Sequence, residues 1–116
     1  MPKPFDELRN VYDVLEHVRL RPGMFVSNGS LDELALVLSG YGLALQVHGV
    51  DEGFDLGQVG PFAQWLSWTH GWSMVRGWTA AIEENCGDVP PLEAFFRLLD
   101  EWRASLASDQ EAVSGP

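Results

Sequence analysis

Tryptophan is concentrated in one stretch of this chain, from Phe62 to Trp78, which holds four of the five tryptophans. An indole can bury on the order of 200 Å² of surface, so a segment this aromatic has to pack against other elements or hold a partner. We expect it to join helices in a core, with one or two indoles left partly exposed. Exposed indoles are of interest because tryptophan is enriched among the residues that carry interface energy.

Apolar residues recur at spacings of three and four along most of the chain, and no run shows the two-residue alternation of a half-buried strand. The pattern predicts an all-α domain of about five helices. Proline and glycine mark most boundaries, since proline is favoured at a helix start and glycine just after a helix end. The expected helices cover residues 5–20, 31–47, 61–70, 74–85 (behind a Ser73 cap) and 91–106.

The second helix is the expected centre of the fold. Ser30 and Glu33 match a capping box at its start. The residues that follow are apolar on most faces, which predicts that this helix is the most buried element of the fold. Gly40 and Gly42 lower its helix propensity, so we expect another helix to cross closely there.

The chain has 116 residues, the length of one domain with its own hydrophobic core. Periodicity stops at Ser108, so we expect a single helical domain over 1–108 and a frayed tail over 109–116. Cys86 is the single cysteine, which excludes an internal disulfide. The first residues lack the apolar run of a signal peptide, and no segment resembles a membrane span, so we expect a cytoplasmic protein.

Acidic side chains dominate the chain: seven Lys and Arg against seventeen Asp and Glu give a formal net charge of −10. A field of this sign repels nucleic acid and anionic lipid, so we expect neither as a partner. It accelerates encounter with a cationic protein. From Ser27 to Val75 the chain has no Lys or Arg, while five Asp and Glu residues occur there. This stretch predicts an acidic surface beside the aromatic segment.

No motif in the chain supplies a catalytic or metal-binding constellation. Residues 51–62 begin like a calcium loop, but Leu56 stands where glycine is needed and Phe62 where a bidentate glutamate is needed. The three histidines follow no ligand spacing. Cys86 lies near a helix end among acids, which disfavours its thiolate. We therefore expect no metal, no cofactor and no enzymatic activity.

Arg21, Pro22 and Gly23 predict a structural turn after the first helix, with Gly23 free to adopt a positive φ, followed by a short extended segment. We expect Arg19, Arg21 and Arg76 to pair with nearby acids, with phosphate binding at Arg21 and Pro22 as the alternative. The stretch from Val18 to Phe25 is similar to the Arg-Pro-Gly-Met segment near the start of the ATPase domain of gyrase B and its relatives. The Asp-x-Gly-x-Gly turn and strand-rich sheet of that family are missing here, so this resemblance does not imply an ATPase.

A longer pattern of motifs spans nearly the whole chain. After a helix, Arg-Pro-Gly-Met-Phe and a Ser-Leu helix start, it contains Gly40-Tyr41, Phe62 to Trp65, Gly71-Trp72, Arg76 to Trp78 and Phe95 to Glu101. This order is similar to that of a set of small bacterial proteins, some of which resemble immunity proteins of polymorphic toxin and contact-dependent inhibition systems. The resemblance implies a protein that binds and neutralises a cognate toxin.

Charge and resemblance together predict an interaction module whose acidic surface covers the basic active-site cleft of a toxin, such as a nuclease. The expected partner-binding residues are Asp51, Glu52, Asp55, Glu83, Glu84 and Asp88. The alternative is a non-enzymatic regulatory or scaffold domain that binds another protein. A homo-oligomer, formed through exposed Trp or Phe, is left open.

Overall fold

A computed structural model describes residues 2–114 of the chain, with side chains described through Ser108. Within this range the chain forms five α-helices and no strand, which confirms the all-α prediction. Two short 3₁₀ turns lie at Phe5–Glu7 and Pro22–Met24. The helices are α1 (Val11–Leu20), α2 (Leu31–Val47), α3 (Pro61–His70), α4 (Gly77–Asn85) and α5 (Pro91–Ser114).

An aromatic cluster joins α3, α4 and α5 in the core. The ring of Phe62 lies 5.6 Å from that of Trp78, 6.0 Å from that of Phe95 and 5.4 Å from that of Trp102, measured between centroids. All four residues are buried, and such aromatic pairs add about 0.5–1.5 kcal/mol each to the burial of their surface. The tryptophan-rich segment therefore reaches the core at both ends, whereas Trp68 in its middle is 82% exposed.

The first helix begins later than the periodicity predicts. Residues 5–7 form a separate 3₁₀ turn, and α1 starts at Val11. The Asn10 side chain accepts a hydrogen bond from the Asp13 amide at 3.0 Å, and Asp13 accepts one from the Arg9 amide at 2.9 Å. The Asn10 side chain caps an amide that a helix start leaves unpaired, and the Asp13 side chain holds the residue before the cap, which places the helix boundary here.

Helix α2 has the predicted bounds and the predicted capping serine. The Ser30 hydroxyl accepts a hydrogen bond from the Glu33 amide at 3.2 Å. The Glu33 carboxylate accepts one from the Ser27 amide at 3.0 Å, and not from Ser30 as the capping box would have it. The Ser30 side chain therefore caps the helix, and the Glu33 side chain ties down the loop before it.

Two other boundaries differ from those expected. Ser73 does not cap α4, because its hydroxyl accepts a hydrogen bond from the Val75 amide at 3.3 Å in a turn, and α4 begins only at Gly77. Helix α5 continues through Ser114, six residues beyond the expected end of the helical domain at 108. The rest of the expected tail, residues 115–116, lies outside the described residues.

The Arg21, Pro22 and Gly23 segment is a turn, as predicted, but a 3₁₀ turn replaces the extended segment that we expected after it. Gly23 does not use the left-handed region. The positive φ angles of this connection lie at Asn28 (53°) and Gly29 (67°), where the chain reverses into α2.

Helix α1 packs beside α5, with arginines at the edge of the contact. The Arg19 guanidinium donates two hydrogen bonds to the Asp100 carboxylate, at 3.1 and 2.8 Å, and lies 5.2 Å from the centre of the Phe96 ring. Arg103 lies 4.2 Å from the centre of the Tyr12 ring. The expected pairing of Arg19 with an acid is confirmed, although the acid comes from α5.

Helix α2 is half exposed, and our prediction that it is the central, most buried element is wrong. Its buried face contains three leucines: Leu31, Leu34 and Leu38. In the part of the chain that the structure describes, no helix crosses at its glycines. The position where Gly40 would carry a Cβ has no neighbour within 4 Å, and the neighbour of Gly42 is the ring of Phe54 at 3.3 Å, from a loop. The core forms around the aromatic cluster of the other helices, so α2 covers one side of it and leaves its own outer face in solvent.

Candidate protein-interaction surface

The loop over residues 50–60 connects α2 to α3 and is fixed to the start of α4. The indole N–H of Trp78 donates a hydrogen bond to the carbonyl of the buried Leu56 at 3.1 Å. The side-chain amide of Gln58 donates to the Thr79 hydroxyl at 3.4 Å and accepts from the Thr79 amide at 3.5 Å. Because these contacts hold the loop, its carboxylates have defined positions.

Glu52 is directed into the fold. One of its carboxylate oxygens accepts a hydrogen bond from the Tyr41 hydroxyl, and the other accepts one from the Val11 amide at 2.9 Å. Burial, followed by the hydrogen bond to Glu52 and the charge of that carboxylate, raises the pKa of Tyr41, so its hydroxyl stays protonated and donates. We expected Glu52 at a partner contact. Both of its oxygens instead link the loop to α1 and α2.

The other two loop carboxylates differ in exposure. Asp55 is half-buried, and its negative charge adds to the burial that raises the pKa of Tyr12. The backbone carbonyl of Asp55 accepts a hydrogen bond from the Phe62 amide at 3.3 Å, at the start of α3. Asp51 is exposed just beyond the end of α2. Of the three predicted contact residues in this loop, Asp51 is therefore the one that faces solvent.

The second predicted group, Glu83, Glu84 and Asp88, is exposed around the end of α4. Glu84 forms a salt bridge with Arg76 at 2.8 Å. Glu83 and Glu84 also occupy the last turn of the helix, where the macrodipole disfavours negative charge. The paired cation lowers the negative potential here, so this group is a weaker candidate for a cationic partner than Asp51.

The outer face of α2 is an exposed apolar strip that we did not predict. Its residues follow spacings of three and four, which place them on one side of a helix. We define the α2 strip as Leu36, Gly40, Leu43, Ala44 and Val47. All five are exposed, Leu36 and Val47 at 72% and Leu43 at 60%. A helix that is apolar on both faces is normally buried on both, so this face lacks the cover that its composition favours.

A groove of about 510 Å³ lies between α2 and the loop over residues 50–60. Leu43 of the strip, Val50 and the exposed Asp51 all line it, so apolar surface and a carboxylate meet in one depression. None of the described residues that line the groove is Lys or Arg. Asp32 is exposed one turn before Leu36, at the opposite end of the strip. We call the strip, the groove, Asp32 and Asp51 together the α2 surface.

Other residues considered for chemistry pack within the fold. Cys86 is buried, and burial raises the pKa of its thiol, which disfavours the thiolate as the sequence indicated. The His70 ring stacks on Trp72 with 4.6 Å between centroids and meets Trp65 edge-on at 5.8 Å. In the part of the chain that the structure describes, no three His, Cys, Asp or Glu side chains form a group that could hold a metal ion.

One signal in the sequence could have revealed the strip. Helix α2 has more apolar positions than one buried stripe requires, and Leu36, Leu43 and Val47 fall opposite Leu34 and Leu38 on a helical projection. We interpreted that excess as a sign that α2 is the most buried element.

Within residues 2–114, every helix falls short of the length or the apolarity that a bilayer crossing requires. A scan against family models and searches of curated proteins and solved structures found no match to this chain.

Proposed function

We propose that this chain is a cytoplasmic, non-enzymatic interaction module of the immunity type, which binds a cognate bacterial toxin and neutralises it. The toxin that suits it is a basic protein, such as a nuclease with a positively charged cleft. The proposal assigns the contact to the α2 surface and requires no metal or cofactor.

The observation that supports this function is the composition of the α2 surface. Exposed apolar side chains lie between Asp32 and Asp51, and residues 27–75 contain no Lys or Arg. Desolvated apolar contacts at the centre of an interface supply much of its affinity, and a charged rim accelerates capture of a partner of opposite sign. The net charge of −10 extends the same preference over a longer range and disfavours nucleic acid and anionic membranes.

Coexpression with the protein encoded beside this gene tests the function. We expect that neighbour to arrest growth when expressed alone, and to co-purify with this chain and lose its toxicity when both are present. A neighbour that is harmless alone, or equally toxic with and without this chain, would contradict the proposal.

Charge reversal at Asp51 tests the contact. Asp51→Lys should slow association with the toxin severalfold at low salt and should weaken the salt dependence of the rate, because a rim charge acts mainly on encounter. The matched control is Asp6→Lys, which makes the same charge change at an exposed aspartate of the first 3₁₀ turn. Equal slowing in the two variants would indicate an effect of net charge alone and would remove Asp51 from the interface.

A regulatory or scaffold domain is the second candidate, and Trp68 favours it. This indole is 82% exposed and belongs to α3, not to the α2 surface, and exposed tryptophans are frequent interface anchors. A neutral or acidic partner, whose affinity falls more with Trp68→Ala than with Asp51→Lys, would support this function over the immunity type.

A further inference from the structure

We propose that the α2 strip binds a single amphipathic helix of the partner, with apolar residues along one face and Lys or Arg at both ends. This inference rests on the proposed function and names the segment of a toxin that the α2 surface takes. It follows from the length of the strip, the small residues at its centre and the charges at its two ends.

The strip determines the length and shape of the bound helix. Leu36 and Val47 are eleven positions apart in α2, about 17 Å along the axis, so the complementary apolar stripe covers about three turns. Gly40 and Ala44 lie between the larger side chains and carry nothing beyond a Cβ. The surface above Gly40 is open, with no atom within 4 Å of a Cβ position, so the backbone of a second helix can approach closely there.

The exposed carboxylates determine the ends of that helix. Asp32 precedes Leu36 by one turn, and Asp51 follows the C-terminal end of α2 and lines the groove that Leu43 also lines. The salt bridges of the described residues involve neither of these aspartates. A Lys or Arg at each end of the docked helix would therefore meet an uncompensated negative charge, while its apolar face covers the strip.

A second copy of this chain fits the α2 surface less well. In an antiparallel pair each Asp32 would lie near the partner's end that carries Asp51, and in a parallel pair like residues would face each other. In either arrangement, carboxylates of the two copies face each other with no cationic side chain between them. Like charges across an interface are unfavourable. The strip lies along a single helix and is about 17 Å long. The strip therefore suits one helix better than a whole globular face.

Two synthetic peptides test the proposal without any toxin. Each has about 15 residues and leucines at spacings of three and four, and one carries Lys at both ends where the other carries Glu. Fluorescence anisotropy at low salt measures their affinity for the full chain. We expect the lysine peptide to bind at least about tenfold more tightly than the glutamate peptide, a difference of about 1.4 kcal/mol, and to lose affinity as salt is raised.

A matched pair of serine variants tests the location. Val47 in the strip and Val59 in the loop are both 72% exposed, and Val59 does not line the groove. Val47→Ser should weaken binding of the lysine peptide about five- to tenfold, because it removes apolar area from the contact. Val59→Ser should leave the affinity unchanged, and circular dichroism should show the same helix content for both.

Several results would overturn the inference: no binding of the lysine peptide, equal affinity for the glutamate peptide, or equal effects of the two serine variants. Dimerisation in sedimentation equilibrium that Val47→Ser abolishes would assign the strip to a second copy and would also overturn it. If the chain neutralises its neighbour in coexpression but does not bind the lysine peptide, this inference is wrong and the proposed function is supported. If the chain binds the peptide but does not protect against its neighbour, the proposed function is wrong.

Discussion

Replacing Glu52 should destabilise the fold far more than replacing its neighbour Asp51, although both are acidic residues of one loop. Glu52 accepts hydrogen bonds from the Tyr41 hydroxyl and from the amide of Val11 at 2.9 Å, and Val11 is buried. Glu52→Ala removes both acceptors and disconnects the loop from α1 and α2.

The two lost hydrogen bonds set the size of the effect. A buried backbone donor left without a partner costs about 1–3 kcal/mol. The Tyr41 hydroxyl can reach water because its residue is only half-buried, so the second bond adds about 0.5–1.5 kcal/mol. We expect a total loss of about 1.5–4.5 kcal/mol, which corresponds to a fall in Tm of about 6–20 °C for a domain of this length. Asp51→Ala makes the same charge change at an exposed position and should stay within about 0.5 kcal/mol.

Urea unfolding followed by circular dichroism measures this difference. Tyr41→Phe removes the hydroxyl alone and should cost about 1 kcal/mol. Because Tyr41 and Glu52 share a hydrogen bond, Tyr41→Phe combined with Glu52→Ala should cost less than the sum of the two single changes. Equal unfolding free energies for Glu52→Ala and Asp51→Ala would refute the anchoring role and would return Glu52 to the candidate partner contacts.

Two further predictions concern a glycine and a titrating cap. Gly77→Ala should cost about 1–3 kcal/mol in urea unfolding, because Gly77 has a φ of 86° and an added Cβ would overlap the side chain of Gln58. Gly87→Ala, where nothing lies within 4 Å of the added Cβ, is the control and should change the midpoint little. A backbone hydrogen bond holds the pKa of Asp13 below its usual range. The charged carboxylate therefore stabilises the fold above the unfolded-state pKa of about 3.9. This contribution is lost as pH falls through the lower folded-state pKa. The destabilisation caused by Asp13→Asn should therefore be full at neutral pH and shrink below about pH 4, and a difference that is constant with pH would contradict this.

The helices of this chain could be predicted because their signals are local. Pro61 at the first position of α3 and Gly71 after its end, with a φ of 72°, act within a turn of the boundary that they define. The start of α1 was missed for a related reason. Phe5 and Leu8 continue the apolar spacing of the helix towards the N-terminus. The cap at Asn10 nevertheless sets the helix start, because it satisfies a backbone amide that apolar spacing leaves unpaired.

The candidate site could be predicted only in part. The absence of Lys and Arg over residues 27–75 is visible in the sequence, and it located the acidic region that contains Asp51. That Glu52 points inward could not be predicted, because its hydrogen-bond partners come from α1 and α2, which are distant in sequence. The sequence does not show which of two adjacent carboxylates in a loop faces solvent, because that depends on tertiary contacts.

The sequence by itself determined the all-α class, most helix bounds and the sign of the surface charge, since these depend on neighbours along the chain and on composition. The tertiary structure alone decided that α2 covers the core with Leu31, Leu34 and Leu38 and leaves Leu36, Leu43 and Val47 in solvent. The physical reason is that apolar spacing shows which faces of a helix favour burial, but not how many neighbouring elements the fold provides to cover them. In this domain the aromatic cluster packs α3, α4 and α5 together on one side of α2, and the opposite side is left in solvent.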